Sequence, residues 1–163
     1  MKRLILVRHA KSSWNNKDLQ DIDRPLNKRG ERDAPEMGKR MAKRGVMVDL
    51  LLTSPAVRAQ RTAELIAEKL NCEDKIKIDE NLYDATAWEI LDVIRKIDDP
   101  HDFVMVVGHN PGMTDLVNEL SATPIEKVPT CGVFELDYDM ATWPEIATKK
   151  SKAFRFDYPK RKA

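Results

Sequence analysis

Two short runs, LILV at residues 4–7 and FVMVV at residues 103–107, are apolar at every position and stop abruptly at residues that can do chemistry. Runs this short with no polar face predict strands covered by helices on both sides of a parallel sheet. Leu50–Thr53 predicts a third such strand and Ile76–Ile78 a weaker fourth. Between them the apolar positions recur at helical spacing. Ala34, Met37 and Met41 form one stripe of a helix that Asn27 can cap and that runs toward Arg44, with Gly45 just past its end and a kink expected at Pro35. Ser54-Pro55 places a capping hydroxyl before a proline suited to the first helical position, and Ala59, Ala63, Ile66 and Leu70 then supply an apolar face. Further helices are predicted from Thr86 or Ala87 to Ile97, and from Pro111 through Met113, Leu116, Val117 and Leu120. Past Thr130, residues 133–137 and 153–156 alternate with period two and predict a late strand pair. The alternation of strand and helix before that pair predicts an α/β fold, a three-layer αβα sandwich around a mostly parallel central sheet.

Composition narrows the function. The 163 residues fit one domain, 1–163, and a chain with 42% hydrophobic and 34% charged residues is a globular rather than a disordered one. Lys plus Arg is 28 and Asp plus Glu 27, a net charge of +1, which excludes the bulk electrostatics of a general nucleic-acid or acidic-membrane binder. The balance hides an asymmetry: residues 1–61 carry 15 basic and 7 acidic side chains, so the front of the chain favours anions. Cys72 and Cys131 are too few for a disulfide framework or a zinc ribbon and point to two reduced thiols in a cytoplasmic protein. The apolar run that follows Met1-Lys2-Arg3 ends at Arg8, short of a signal peptide core, and no run approaches a membrane span. A cytoplasmic monomer is expected.

In α/β sheets the loops at the carboxyl ends of the strands build the site. Arg8 and His9 follow the first predicted strand, Ser54 and then Arg58 follow Leu50–Thr53, and His109 and Asn110 follow FVMVV-Gly108. Two histidines and two arginines therefore converge on one sheet edge from three segments. Guanidinium groups grip phosphoryl oxygens and stay charged, while a neutral imidazole can attack phosphorus or donate to an equatorial oxygen. The combination fits phosphoryl transfer. The few histidines lie beside arginines, with no carboxylate cluster at metal-ligand spacing, so neither metal nor cofactor is expected.

The segment LVRHAKSSW at residues 6–14 resembles the signature of the histidine phosphatase superfamily, in which an Arg-His pair follows the first strand and the histidine becomes phosphorylated. DRPLNKRGERDA at 23–34, TSPAVRAQRTAE at 53–64 and VVGHNPGM at 106–113 stand in the order and spacing of its SixA-like branch of phosphohistidine phosphatases. The resemblance runs from residue 4 to at least 132. It implies a phosphoglycerate-mutase-like sandwich with His9 as nucleophile and Arg8, Arg58 and His109 as the phosphate pocket. His9 should attack through one ring nitrogen while the other donates to a backbone carbonyl. Arg24 matches an arginine of SixA-like members, and either approaches the substrate or pairs with Asp21 or Asp23. Arg61 is expected to support this pocket. Ser12 and Ser13 are candidates for the phosphate oxygens or turn residues, and Asn110 is a further substrate-binding candidate beside His109.

Larger relatives carry a glutamate in an L-x-E segment that protonates the leaving oxygen. Here the text is Leu82-Tyr83-Asp84, so Asp84 takes that position, with Glu80 as a competitor. A histidine leaving group needs such an acid less than an alkoxide does. Between Ser54 and Leu82 there is room for little more than one helix and one strand, leaving an open pocket that suits a phosphohistidine-bearing protein. A small phosphomonoester is the alternative substrate, and a module that binds phosphoprotein without hydrolysis the alternative function.

Overall fold

The computed structural model describes residues 1–162. Six strands form one sheet, β1 (Lys2–Arg8), β2 (Leu50–Thr53), β3 (Ile76–Ile78), β4 (Phe103–Gly108), β5 (Val133–Tyr138) and β6 (Ala153–Asp157), in the order β3-β2-β4-β1-β5-β6. The first four in that order are mutually parallel, with Arg8 opposite Gly108 and Thr53 opposite Val107. β5 joins β1 antiparallel, pairing Val133 with Val7, and β6 closes the sheet antiparallel to β5.

Helices α1 (Lys28–Lys43) and α2 (Val57–Leu70) cover one face, and α3 (Ala87–Arg95) and α4 (Gly112–Leu120) the other. The aliphatic runs feed both layers by alternation. Ile5, Val7, Met105 and Val107 pack under α1 and α2, while Leu4, Leu6, Val104 and Val106 pack under α3 and α4. Each fully buried aliphatic side chain of this kind contributes about 1.5–3 kcal/mol, so the two faces together supply the main driving force. This is the predicted α/β fold, a three-layer αβα sandwich around a mostly parallel sheet.

Local chemistry sets the helix ends. Asn27 caps α1 by accepting from the Gly30 N–H at 2.9 Å, and Thr86 with Glu89 forms a reciprocal capping box on α3. α1 is continuous through Pro35: Glu31 O loses one helical donor, but the helix persists from Lys28 to Lys43 with its stripe of Ala34, Met37 and Met41 fully packed. α3 ends at Arg95, two residues before the predicted Ile97. The expected cap at Ser54 is also corrected. α2 begins at Val57 with Ala56 as its cap residue, and the Ser54 hydroxyl serves the turn before it, accepting from the Ala56 N–H at 3.2 Å.

Candidate active site

Three adjacent parallel strands, β2, β4 and β1, end side by side, so the residues that follow them meet. His9 leaves β1, Ser54 leaves β2 and His109 leaves β4. The rings of His9 and His109 lie 5.1 Å apart between centroids. The backbone around His9 is fixed on both sides, its N–H donating to Gly108 O at 3.0 Å and its carbonyl accepting from Cys131 N–H at 3.1 Å.

The His9 side chain is buried, and its Nδ1 stands 2.8 Å from the Ala10 carbonyl. A carbonyl only accepts, so Nδ1 carries the proton and Nε2 keeps its lone pair. Burial, followed by the charges of His109, Arg58 and Arg8, lowers the pKa of His9 to about 3, and the ring is neutral at pH 7. The Ala10 N–H in turn donates to Thr62 Oγ1 at 3.0 Å, and that hydroxyl donates to Arg58 O at 2.7 Å, which ties the His9 loop to the first turns of α2. His109 is buried too, with Nε2 at 2.7 Å from Ser54 Oγ, and burial followed by the Arg58 charge lowers its pKa to about 4.

The arginines surround this pair. Arg8 Nη1 donates to Val128 O at 3.0 Å, and burial lowers the guanidinium pKa. Arg58 donates to the Asp21 carbonyl at 2.6 Å and to its carboxylate at 3.0 Å. Arg24 donates to the other carboxylate oxygen of Asp21 at 2.8 Å, to Ser13 O at 3.2 Å and to Ser12 Oγ. The Tyr83 hydroxyl completes the set, donating to Asp21 at 2.5 Å while its ring packs edge-on against His109. The Tyr83 hydroxyl and then the two arginines hold the Asp21 carboxyl at about 2. A cleft of about 190 Å³ opens over this arrangement, lined by Arg8, His9, Lys11, Ser12, Trp14, Arg24, Arg58 and Thr130. Four cations around one neutral imidazole can hold an anion within reach of a ring nitrogen that carries a lone pair.

Of the remaining candidates, two line the cleft and the others do not. Ser12 and Arg24 line the cleft and hydrogen bond to each other. Ser13 turns its hydroxyl to the Asn15 N–H. Asn110 spends both ends of its amide on the protein, donating to Val128 O and accepting from the Thr114 N–H and hydroxyl. Arg61 is exposed and pairs with Glu31 and Glu64. Asp84 and Glu80 are exposed and neither lines the cleft; Asp84 sits at φ 50°, in the turn before α3. The cluster also contains residues to which the sequence assigned no role at the site: Tyr83, Thr62, Lys11, Trp14 and Thr130. Asp21 had appeared only as a partner for Arg24. Ser54, expected as a helix cap, is a partner of His109. The contacts of Tyr83, Thr62 and Ser54 span 52–62 residues of sequence, which no local pattern encodes.

Comparison with known proteins bears on the family and the fold. The profile of the histidine phosphatase superfamily (branch 1) matches residues 4–93. An uncharacterized chloroplastic protein of Arabidopsis thaliana is 32% identical over 153 residues, which cover 88% of this chain and 70% of that protein. The 2,3-bisphosphoglycerate-dependent phosphoglycerate mutase of Bartonella tribocorum is 38% identical over 77 residues, only 45% of this chain and 36% of the mutase. Among solved structures, a candidate phosphohistidine phosphatase SixA from Agrobacterium tumefaciens superposes with a TM-score of 0.76 at 29% identity, over 83% of this chain and 91% of that one. The protein histidine phosphatase SixA complexed with tungstate gives 0.78 at 19% identity, over 96% and 94%, a likeness of fold. Matched by the profile over more than half its length and by a relative along most of it, the chain belongs to the histidine phosphatase superfamily, and among solved structures it is similar to SixA phosphohistidine phosphatases.

Proposed function

We propose that the protein hydrolyses phosphohistidine on a protein substrate, without a metal, through a phosphorylated His9, and that residues 1–163 act as one histidine phosphatase domain. The state of His9 carries this proposal. Its Nδ1 proton is committed to Ala10 O, its Nε2 lone pair is free, and burial keeps the ring neutral beside three cationic or donor side chains. Nε2 attacks phosphorus as the P–N bond to the substrate ring breaks, and water then takes the phosphoryl group from His9. Arg8, Arg58 and His109 offset the charge on the equatorial oxygens. Two of their atoms, Arg8 Nε and His109 Nδ1, are buried with no partner in the protein, which suits groups awaiting phosphoryl oxygens.

The leaving group favours phosphohistidine over an alkyl phosphate. An alkoxide needs a proton donor at the mouth of the site, and neither Asp84 nor Glu80 lines the cleft. An imidazole leaves with little more than a proton from water. Two free buried cysteines fit a reducing, cytoplasmic setting, and among the described residues no helix is long and apolar enough to cross a membrane.

The test compares purified protein on a phosphohistidine peptide and on a panel of phosphomonoesters, at neutral pH with chelator present. Turnover of the peptide with EDTA present is expected, with acid-labile, base-stable label trapped on the wild type and absent from His9→Ala. Arg58→Ala and His109→Ala should each lose about 10²–10³ in rate, the usual cost of one charge donor. Preference for a phosphomonoester would move the substrate to the alternative class, and phosphate binding without any turnover would make the chain a binding module.

A further inference from the structure

We propose that Trp14 is the platform against which the departing imidazole ring of a phosphohistidine stacks, a specificity-determining residue that rests on the substrate assignment above. Trp14 lines the same cleft as His9 yet is 72% exposed. An indole left this open at the rim of a site gives up the burial that would otherwise hold it in a core. Its ring is nevertheless fixed from below. The guanidinium carbon of Arg24 lies 3.3 Å from the ring centroid, a cation packed on the face of the indole. Arg24 in turn cannot swing away, because Asp21, Ser12 and the Ser13 carbonyl hold it. One face of Trp14 is therefore seated on an immobilised planar group, and the rest of the ring is open to a ligand.

The direction of the reaction brings the leaving group toward it. His9 is buried and Trp14 exposed on the same cleft, and in-line displacement sends the leaving nitrogen away from the attacking Nε2, which from a buried nucleophile is toward the solvent side of the cleft. A cleft of about 190 Å³ is smaller than the roughly 300–1,000 Å³ of pockets for drug-sized ligands, so it suits a phosphoryl group and one small ring with the peptide outside. A flat aromatic surface rewards a flat aromatic leaving group and gives little to an alkyl one.

Phosphoramidate has the same P–N bond and no ring, which separates the platform from the phosphate pocket. The experiment measures kcat/KM on a phosphohistidine peptide and on phosphoramidate for the wild type, Trp14→Ala and Trp14→Phe, with a melting curve for each. In Trp14→Ala the ratio of peptide to phosphoramidate should fall about three- to tenfold, the span of one aromatic stacking contact, and Trp14→Phe should restore most of it. An equal loss on both substrates would overturn the platform, because Trp14 would then act only by supporting Arg24 and the pocket as a whole. An unchanged ratio in both variants would overturn it as well. A wild type that prefers alkyl phosphomonoesters to the peptide overturns the substrate assignment and the platform with it, and that result is visible before any variant is made.

Discussion

A single carboxylate organises the cationic side of the site. Asp21 accepts from Arg58, Arg24 and Tyr83, and it is half exposed while both arginines beneath it are buried. Its carboxyl stays ionised down to about pH 2, chiefly because the Tyr83 hydroxyl and the guanidiniums favour the charged form. Asp21 therefore aims Arg58 without filling the cleft. In Asp21→Ala, Arg58 keeps its bond to the backbone carbonyl of residue 21 but loses the carboxylate that fixes its second nitrogen, and kcat/KM should fall about tenfold on every substrate, with a matching rise in the inhibition constant of orthophosphate. The loss of stability should be small, about 1 kcal/mol, because solvent screens a half-exposed partner. Tyr83→Phe removes one of three partners of the carboxylate and should cost less than threefold. Orthophosphate inhibition unchanged in Asp21→Ala would show that Arg58 is aimed by other contacts.

At the scale of elements, the segment entering β5 clamps the end of β1. The Val128 carbonyl accepts from both Arg8 Nη1 and Asn110 Nδ2, its N–H donates to Thr114 Oγ1 at 3.0 Å, and Gly132 and Cys131 bond the backbone of Arg8 and His9. Thr114→Val keeps the shape of the side chain but leaves the buried Val128 N–H without an acceptor, which costs about 1–3 kcal/mol. The expected outcome is a lower melting temperature and a drop in activity of about tenfold as the carbonyl that orients Arg8 shifts, with Thr114→Ser close to wild type. Normal activity in a destabilised Thr114→Val would separate the clamp from Arg8. None of this was legible in the sequence, whereas the strands were. LILV and FVMVV announce buried strands because each residue commits to one face or the other, and the Asn27 cap and the late strand pair follow from local chemistry and period. The positions of Arg8, His9 and His109 were legible because they sit where strands end, and that of Arg58 because it opens the helix after β2. Asp21 to Tyr83 spans 62 residues and Asn110 to Val128 spans 18, and no local pattern encodes such pairs. Ser54 misled because a hydroxyl before proline suits a helix cap, but the chain continues through Pro55 and Ala56 before α2 begins, and a strand end beside His109 claimed the hydroxyl.

For the whole molecule, the sheet edge gathers the charge of the first third of the chain onto two buried, neutral histidines. Arg8, Lys11, Arg24 and Arg58, the four cations of the cleft, all belong to residues 1–61. The price of that arrangement is sensitivity to acid. His9 and His109 have folded pKa values of about 3 and about 4, below the 6.5 of a free imidazole, first through burial and then through the neighbouring cations. Between pH 6.5 and about 4 the unfolded chain binds protons that the folded chain refuses, so stability is present above pH 6.5 and falls as pH is lowered through that window. Each histidine contributes a slope of up to about 1.4 kcal/mol per pH unit there. Asp21, held at about 2, releases its own contribution only at lower pH. The urea midpoint should therefore drop steeply from pH 6.5 to 4.5 in the wild type and much less in a His9→Asn, His109→Asn double variant, in which the amide at position 9 can still donate to Ala10 O. The same drop in the double variant would place the acid sensitivity elsewhere in the fold. Because His9 stays neutral at pH 5, where a free imidazole is mostly protonated, activity on the acid side should follow the folded fraction rather than titrate with an imidazole pKa near 6.5.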